Sequence, residues 1–199
     1  MKSGGVFVSD LAPDCIRATR AEGFLKKGEQ MSDFEIRQAQ ARDIDNLCAL
    51  IFEHGPNPWN HLPQDDVTAH LQGIADGSVQ AVLAEREGEL LGFVSYQLSR
   101  HFERYQPEAR RGQLHGYICE AVTDRVVAGQ GLGSRLLKQA VMQLGEQGIS
   151  DIYIDRHEQN AASAGMMRKA GFIEVETYTD LQRRPNGSGR TTLCCLRIV

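Results

Sequence analysis

The stretch Val126-Val127-Ala128-Gly129-Gln130-Gly131-Leu132-Gly133-Ser134-Arg135-Leu136-Leu137 joins the end of a β-like run to the start of an amphipathic helix. Glycines at 129, 131 and 133 let the backbone turn tightly and bring successive N–H groups toward one point. Those donors, added to the positive end of the helix dipole, make an anion site suited to phosphate. A plain tight turn would use the same glycines, so the loop alone leaves both readings open. Two familiar phosphate loops are excluded. No Gly-Lys-Ser/Thr follows, as a Walker A loop requires, and the spacing is not the GxGxxG that opens a dinucleotide-binding βαβ unit.

Downstream, Leu132, Leu136, Leu137, Val141 and Leu144 share one helical face, and Gly145 and Gly148 close the segment. Residues 149–155 alternate as a strand, 160–170 read as a short helix, and Gly171-Phe172 turns into a strand over 173–181. The polar tip Arg183-Arg184-Pro185-Asn186-Gly187-Ser188-Gly189-Arg190 precedes a last strand over 191–199. Upstream, residues 79–85 and 90–99 are β-like runs joined by the hairpin signal Arg86-Glu87-Gly88-Glu89. A charged connection over 100–112 leads to a third run, 114–123, predicted antiparallel to the two before it. Earlier still, Phe34-Glu35-Ile36-Arg37 reads as a strand. Ile44, Leu47, Cys48 and Ile51 then recur at helical spacing behind Asp43 as a cap, and residues 64–75 form a short helix. The order β-α-α-β-β-β-α-β-α-β-β predicts an α/β (α+β) domain, a mixed sheet of about seven strands flanked by about four helices.

The 199 residues suffice for one such domain, and 41% hydrophobic with 24% charged residues argues against disorder as the main state. Residues 1–30 differ from the rest: Gly and Pro interrupt any periodicity, and Lys26-Lys27-Gly28-Glu29-Gln30 reads as a solvated linker. A flexible N-terminal extension over 1–30 and a domain over 31–199 are expected. The net charge of −4, from 22 Lys+Arg against 26 Asp+Glu, lacks the basic footprint of a nucleic-acid binder. No apolar stretch approaches the roughly 18 residues of a membrane helix. The first ten residues do not read as a secretory signal, so a cytoplasmic address is expected. Cys15, Cys48, Cys119, Cys194 and Cys195 include no CxxC pair, so reduced thiols are expected rather than disulfides or a metal site.

Residues 117–123, the Gly-rich loop, residues 151–155 and Asn160-Ala161-Ala162-Ser163-Ala164-Gly165-Met166-Met167-Arg168-Lys169-Ala170-Gly171-Phe172 follow one another in that order. Over about residues 34–199 the arrangement resembles the GNAT superfamily of N-acetyltransferases, with a diamine-type-like layout around the fourth strand. Two motifs carry the resemblance: the strand–loop–helix, and the Asn-headed helix that closes on Gly-Phe. The resemblance implies acetyl-CoA as co-substrate and direct acetyl transfer to a primary amine in a ternary complex. A small-molecule acceptor of polyamine or amino-sugar type is expected, with a protein or peptide amine, or acyl-CoA binding without turnover, as alternatives. It further implies that backbone groups of Ala121, Val122 and Thr123 run alongside the pantetheine arm, where the fourth strand bulges. The Val122 region would polarise the acetyl carbonyl. Gly129, Gln130, Gly131, Leu132, Gly133 and Ser134 would cradle the pyrophosphate. Asn160 would hydrogen-bond the pantetheine while also serving as the N-cap of its helix.

Two positions depart from the family pattern. Ala128 stands where Arg or Gln is usual, with Arg125 or Arg135 available to restore the charge. Met167 stands where a Tyr usually protonates the departing thiolate, and losing a positioned acid costs about 10²–10⁴ in rate. A primary amine must also lose a proton before it attacks. By the resemblance Glu120 is the candidate base, an ordinary solvent-facing sheet carboxylate being the other reading; His115, His157 and Asp155 are weaker candidates. The stiff loop around Trp59, with His54 and His61, falls where the family builds its acceptor wall, and Asp65 or Asp66 would attract a cation. Trp59 could equally cap the core. Arg100, Arg104, Arg110 and Arg111 read either as a solvated loop or as a greeting for an anionic acceptor. A homodimer is left open, with strand 191–199 as the edge that would pair or swap.

Overall fold

The structure, a computed structural model, describes residues 34–198. The expected extension over 1–30, the boundary at Met31 and Cys15 lie outside the described residues. Seven strands are present: β1 (Glu35–Gln38), β2 (Gln80–Arg86), β3 (Glu89–Ser99), β4 (His115–Thr123), β5 (Asp151–His157), β6 (Ile173–Thr179) and β7 (Arg190–Arg197). The four α-helices are α1 (Ile44–His54), α2 (Gln64–Asp76), α3 (Leu132–Glu146) and α4 (Ala161–Ala170). One sheet holds all seven strands in the order β1-β2-β3-β4-β5-β7-β6. Every pairing is antiparallel except β4 with β5. The β2–β3 hairpin turns through Glu87 and Gly88, whose φ values of 55° and 81° suit a tight two-residue turn of the twist that strands prefer.

The sheet buries both faces. On one side α3 and α4 pack over Val94, Ile118, Ile152 and Ile154; Leu132, Leu136, Leu137, Ala140 and Leu144 of α3 are all buried there. Each such leucine contributes about 1.5–3 kcal/mol relative to exposure. On the other side α1 and α2 cover Leu83, Phe93 and Val122 with Leu47, Leu50, Ile51, Val67 and Leu71. Beside that layer the 100–112 connection is the solvated loop expected over most of its length, with Arg100, Arg104 and Arg111 exposed, but it is anchored where none of it was expected to pack. It tucks Phe102 under Tyr117 and Tyr153 at ring distances of 5.3 Å each, buries Gln106, and pairs Arg110 with the buried Asp151 at 2.8 Å.

Two further expectations are corrected. The Asp43 carboxylate does not cap α1; it turns back to the Arg37 guanidinium (2.8 and 2.9 Å), which also holds Glu85 at 2.7 Å. That pairing keeps the Asp43 carboxyl below its usual range. The strand ending the chain is not an edge, because β7 is hydrogen-bonded to β5 on one side and β6 on the other. Its Cys194 and Cys195 alternate between the two faces as buried free thiols. Among the described residues no helix is long and apolar enough to cross a membrane.

Candidate active site

The parallel pairing of β4 with β5 ends at Ile118 and Ile154. Beyond it the strands part. Cys119, Glu120 and Ala121 of β4 and Asp155, Arg156 and His157 of β5 line a cavity of about 120 Å³ instead of bonding each other. A bulge in β4 accompanies the opening: Ser95 pairs Glu120 and Tyr96 pairs Ile118, which leaves Cys119 as the extra residue. A second cavity, of about 510 Å³, is lined by Ala121, Val122, Thr123, Gly129, Gly131, Leu132, Gly133, Ser134 and Asn160. The two cavities share Asn60, Ala121, Asn160, Ser163 and Met166, so they meet at the mouth of the opened strands.

The larger cavity has an anion-binding wall made of backbone. Gly129 and Gly131 each have φ of +80°, a conformation that favours glycine, and open space surrounds both. The first helical bond of α3 runs from Arg135 N–H to Gly131 C=O at 3.1 Å. The N–H groups of Gly129, Gly131, Leu132, Gly133 and Ser134 donate to no backbone carbonyl among the described residues. Five such donors at a helix N-terminus fit a diphosphate. Gln130 behaves differently from its neighbours: its N–H donates to Val127 C=O at 3.3 Å, and it does not line the cavity. Gly133 permits a close approach of α3 to α4, since a Cβ there would stand 2.6 Å from Met166 Sδ. Asn160 caps α4, its Oδ1 accepting from Ser163 N–H at 3.0 Å. Its Nδ2 makes no bond among the described residues and is available to a ligand.

Neither expected arginine joins this wall. Arg125 donates through its backbone N–H to His54 Nδ1 and through its guanidinium to Pro56 C=O, each at 3.3 Å. The Arg135 guanidinium stands 5.6 Å from the Phe34 ring centre. Lys169, in the last turn of α4, lines the cavity instead. Nothing in its local sequence singles it out; only the packing of α4 beside α3 brings it there.

The smaller cavity is walled by charge. Glu120 projects into it with no protein hydrogen bond to its carboxylate among the described residues. Burial and the negative Asp155 push its pKa up to about 7, against the opposing pull of Arg183 and Arg184. Asp155 is committed elsewhere: it accepts from both guanidinium nitrogens of Arg183 (3.0 Å each), from Arg184 (2.7 Å) and from the Tyr117 hydroxyl (2.8 Å). Burial and Asp155 raise the Tyr117 pKa well above its usual value, so the phenol stays protonated. Both arginines belong to the tip between β6 and β7 that the sequence marked only as polar, and both line the cavity.

The remaining candidates sort by position. His157 lines the cavity, but its Nδ1 accepts from Gln159 N–H (3.0 Å) and its Nε2 lies 2.8 Å from Asn186 C=O, which assigns a neutral, fully bonded ring. Trp59 packs on that ring at 4.7 Å, and a Cβ on Gly187 would come 2.8 Å from it, so Trp59 seats the β6–β7 tip. His61 lines the smaller cavity and His54 the larger. His115 lies apart from both, buried against Phe102 and Tyr153, and burial pushes its pKa down to about 4. Asp65 and Asp66 are exposed in the first turn of α2, lining neither cavity. Met167 is buried in the wall of the smaller cavity, and Ser163, one turn earlier on α4, lines both. Among the described residues no group of three or more His, Cys, Asp or Glu is placed to hold a metal ion.

A sheet opened between two parallel strands, with a backbone diphosphate wall on one side and a carboxylate in a small cavity on the other, is the architecture of a coenzyme-dependent group transferase. Residues 42–172 match the family described as "Acetyltransferase (GNAT) family", and the chain belongs to that family. It is an N-acetyltransferase by that membership, and enzymes of the family use acetyl-CoA. Among curated proteins it is 30% identical over 145 residues to the L-methionine sulfoximine/L-methionine sulfone acetyltransferase of Pseudomonas aeruginosa, covering 69% of this chain and 78% of that protein. It is 25% identical over 188 residues to the phosphinothricin N-acetyltransferase of Alcaligenes faecalis, covering 79% and 85% of the two. Among solved structures, the ribosomal-protein-S18-alanine N-acetyltransferase of Escherichia coli superposes with a TM-score of 0.64 at 15% identity, over 83% of this chain and 94% of that one, a likeness of fold.

Proposed function

We propose that this chain acetylates the amine of a small acceptor that also carries an anionic group, with Glu120 as the general base. The observation that carries this reading is the placement of Arg183 and Arg184 in the same cavity of about 120 Å³ as the Glu120 carboxylate. A carboxylate poised near neutrality takes the ammonium proton, and guanidinium groups beside it attract a carboxylate or similar anion on the same molecule. A polyamine, cationic along its length, would meet like charge at that wall, and the volume is small for an amino sugar. The relatives named for L-methionine derivatives support an amino-acid-like acceptor.

In this reading the N–H groups of Gly129, Gly131, Leu132, Gly133 and Ser134 hold the pyrophosphate of acetyl-CoA, with Lys169 adding charge. Ala121, Val122, Thr123 and the Asn160 side chain flank the pantetheine and bring the thioester to the meeting point of the cavities. Acetyl-CoA supplies an activated acetyl group. Glu120 removes the proton that blocks the amine, and the fixed backbone near Val122 favours charge on the acetyl oxygen. No tyrosine stands at Met167 to protonate the leaving sulfur; a thiol of pKa about 8.5 departs tolerably without one.

The test is a coenzyme A release assay with four acceptor sets: amino acids bearing polar side chains, polyamines, amino sugars and peptides. Turnover confined to the amino acids, and lost when the α-carboxylate is amidated, supports the proposal. Turnover with polyamines or amino sugars alone overturns the anionic part of it.

A further inference from the structure

A β-bulge takes a strand out of its regular ladder, and an amide there needs another partner. At the β4 bulge the Glu120 N–H donates to the Ser95 hydroxyl of β3 at 3.2 Å. Ser95 is wholly buried, and its Oγ lies 2.9 Å from Nε2 of His70 on α2. The imidazole is the one acceptor for the Ser95 hydroxyl proton among the described residues. Nε2 therefore accepts, and Nδ1 carries the ring hydrogen. This requires a neutral ring, and burial favours one by lowering the His70 pKa. The chain His70–Ser95–Glu120 thus ties three elements, α2, β3 and β4, at the residue proposed as base.

We propose that His70 and Ser95 are a positioning pair that holds the β4 bulge, and so aims the Glu120 carboxylate into the acceptor cavity. Neither residue lines either cavity, so neither touches substrate. The pair acts on the backbone of Glu120 alone, which separates its loss from loss of the base itself. The proposal rests on Glu120 being the base, but the anchoring of the bulge can be read without turnover.

The experiment compares Ser95→Ala, His70→Leu and His70→Gln by hydrogen exchange at the Glu120 amide and by steady-state kinetics. Ser95→Ala and His70→Leu should speed exchange at Glu120 by about tenfold or more, while His70→Gln, which restores an acceptor near Nε2, keeps it slow. kcat should fall about 10–100-fold in the first two variants, while KM for acetyl-CoA stays within about twofold. The Ser95→Ala/His70→Leu double variant should be no worse than the poorer single, because one chain has been broken twice. Unchanged exchange and kcat in folded His70→Leu overturns the proposal, as do equal losses in His70→Gln and His70→Leu. Should Ser95→Ala not fold, the two His70 variants decide alone. If Glu120→Gln leaves kcat intact, the base reading falls, and altered exchange in His70→Leu still upholds the anchored bulge. If Glu120→Gln abolishes turnover while His70→Leu changes exchange without changing kcat, the base stands and the positioning role falls.

Discussion

The two sides of the opened sheet are built on different terms. The candidate anion wall lies within six consecutive residues, Gly129 to Ser134, and its donors are the main-chain N–H groups of all of them but Gln130, groups that every residue but proline carries. The smaller cavity draws side chains from five separate segments: the α1–α2 loop, β4, β5, α4 with its cap, and the β6–β7 tip. A wall of backbone should tolerate a change of side chain such as Ala128 and fail when its φ angles are forbidden. A wall of side chains fails one substitution at a time and sets which molecule is accepted.

Glu120→Gln gives the largest expected effect and tests the side-chain wall. It should lower kcat about 10²–10⁴-fold while leaving acetyl-CoA affinity unchanged by calorimetry. On the proposal that ionised Glu120 is the base, kcat/KM should fall as pH drops through about 7. The same substitution should show in a melt. The fold holds this carboxyl near 7 rather than 4.5, so ionising it costs stability that grows between those pH values and is constant above them. Glu120→Gln should therefore stabilise by about 2–3 kcal/mol above pH 7 and have no effect below about pH 4.5.

Gly131→Val attacks the backbone wall. No atom lies within 4 Å of a Cβ placed there, so the expected damage is the strained φ of +80°. Acetyl-CoA should bind about tenfold or more weakly, with acceptor KM little changed. Arg183→Gln returns to the side-chain wall. Acceptor KM should rise about tenfold, and the acid limb of the pH profile should move to higher pH, because Arg183 holds the Glu120 pKa down. The smallest effect is expected at Ala128→Arg, which should tighten acetyl-CoA binding by no more than about fivefold in low salt. A large change there would mean that the wall depends on side chains after all.

This division also explains what could be read in advance. The elements were legible because apolar spacing and glycine punctuation are local; each of the eleven falls close to its expected position. The anion wall was legible for the same reason. Glu120 could be named from its place on the fourth strand, but its environment could not: Asp155 lies 35 positions later, and Arg183 and Arg184 another 28 and 29 beyond. Lys169, Ser95 and His70 carry no local signal, since a lysine late in a helix or a serine in a strand is ordinary until packing gives it a neighbour. Asp43 misled because the Arg37 guanidinium of β1, which also holds Glu85 of β2, engages its carboxylate.

The extra residue in β4 has a consequence of phase. Side chains of a regular strand alternate, so positions three apart look opposite ways. Ile118 and Ala121 nevertheless both pack beneath α3 and α4, while Tyr117 and Val122, five apart, both belong to the other face. Cys119 resets the count midway along the strand. Deleting that single residue would restore alternation, with Glu120 opposite Ser95 following directly on Ile118 opposite Tyr96 in an unbroken ladder. The opening of the sheet beside β5 thus goes with one residue more than the ladder can pair, the length of a single codon.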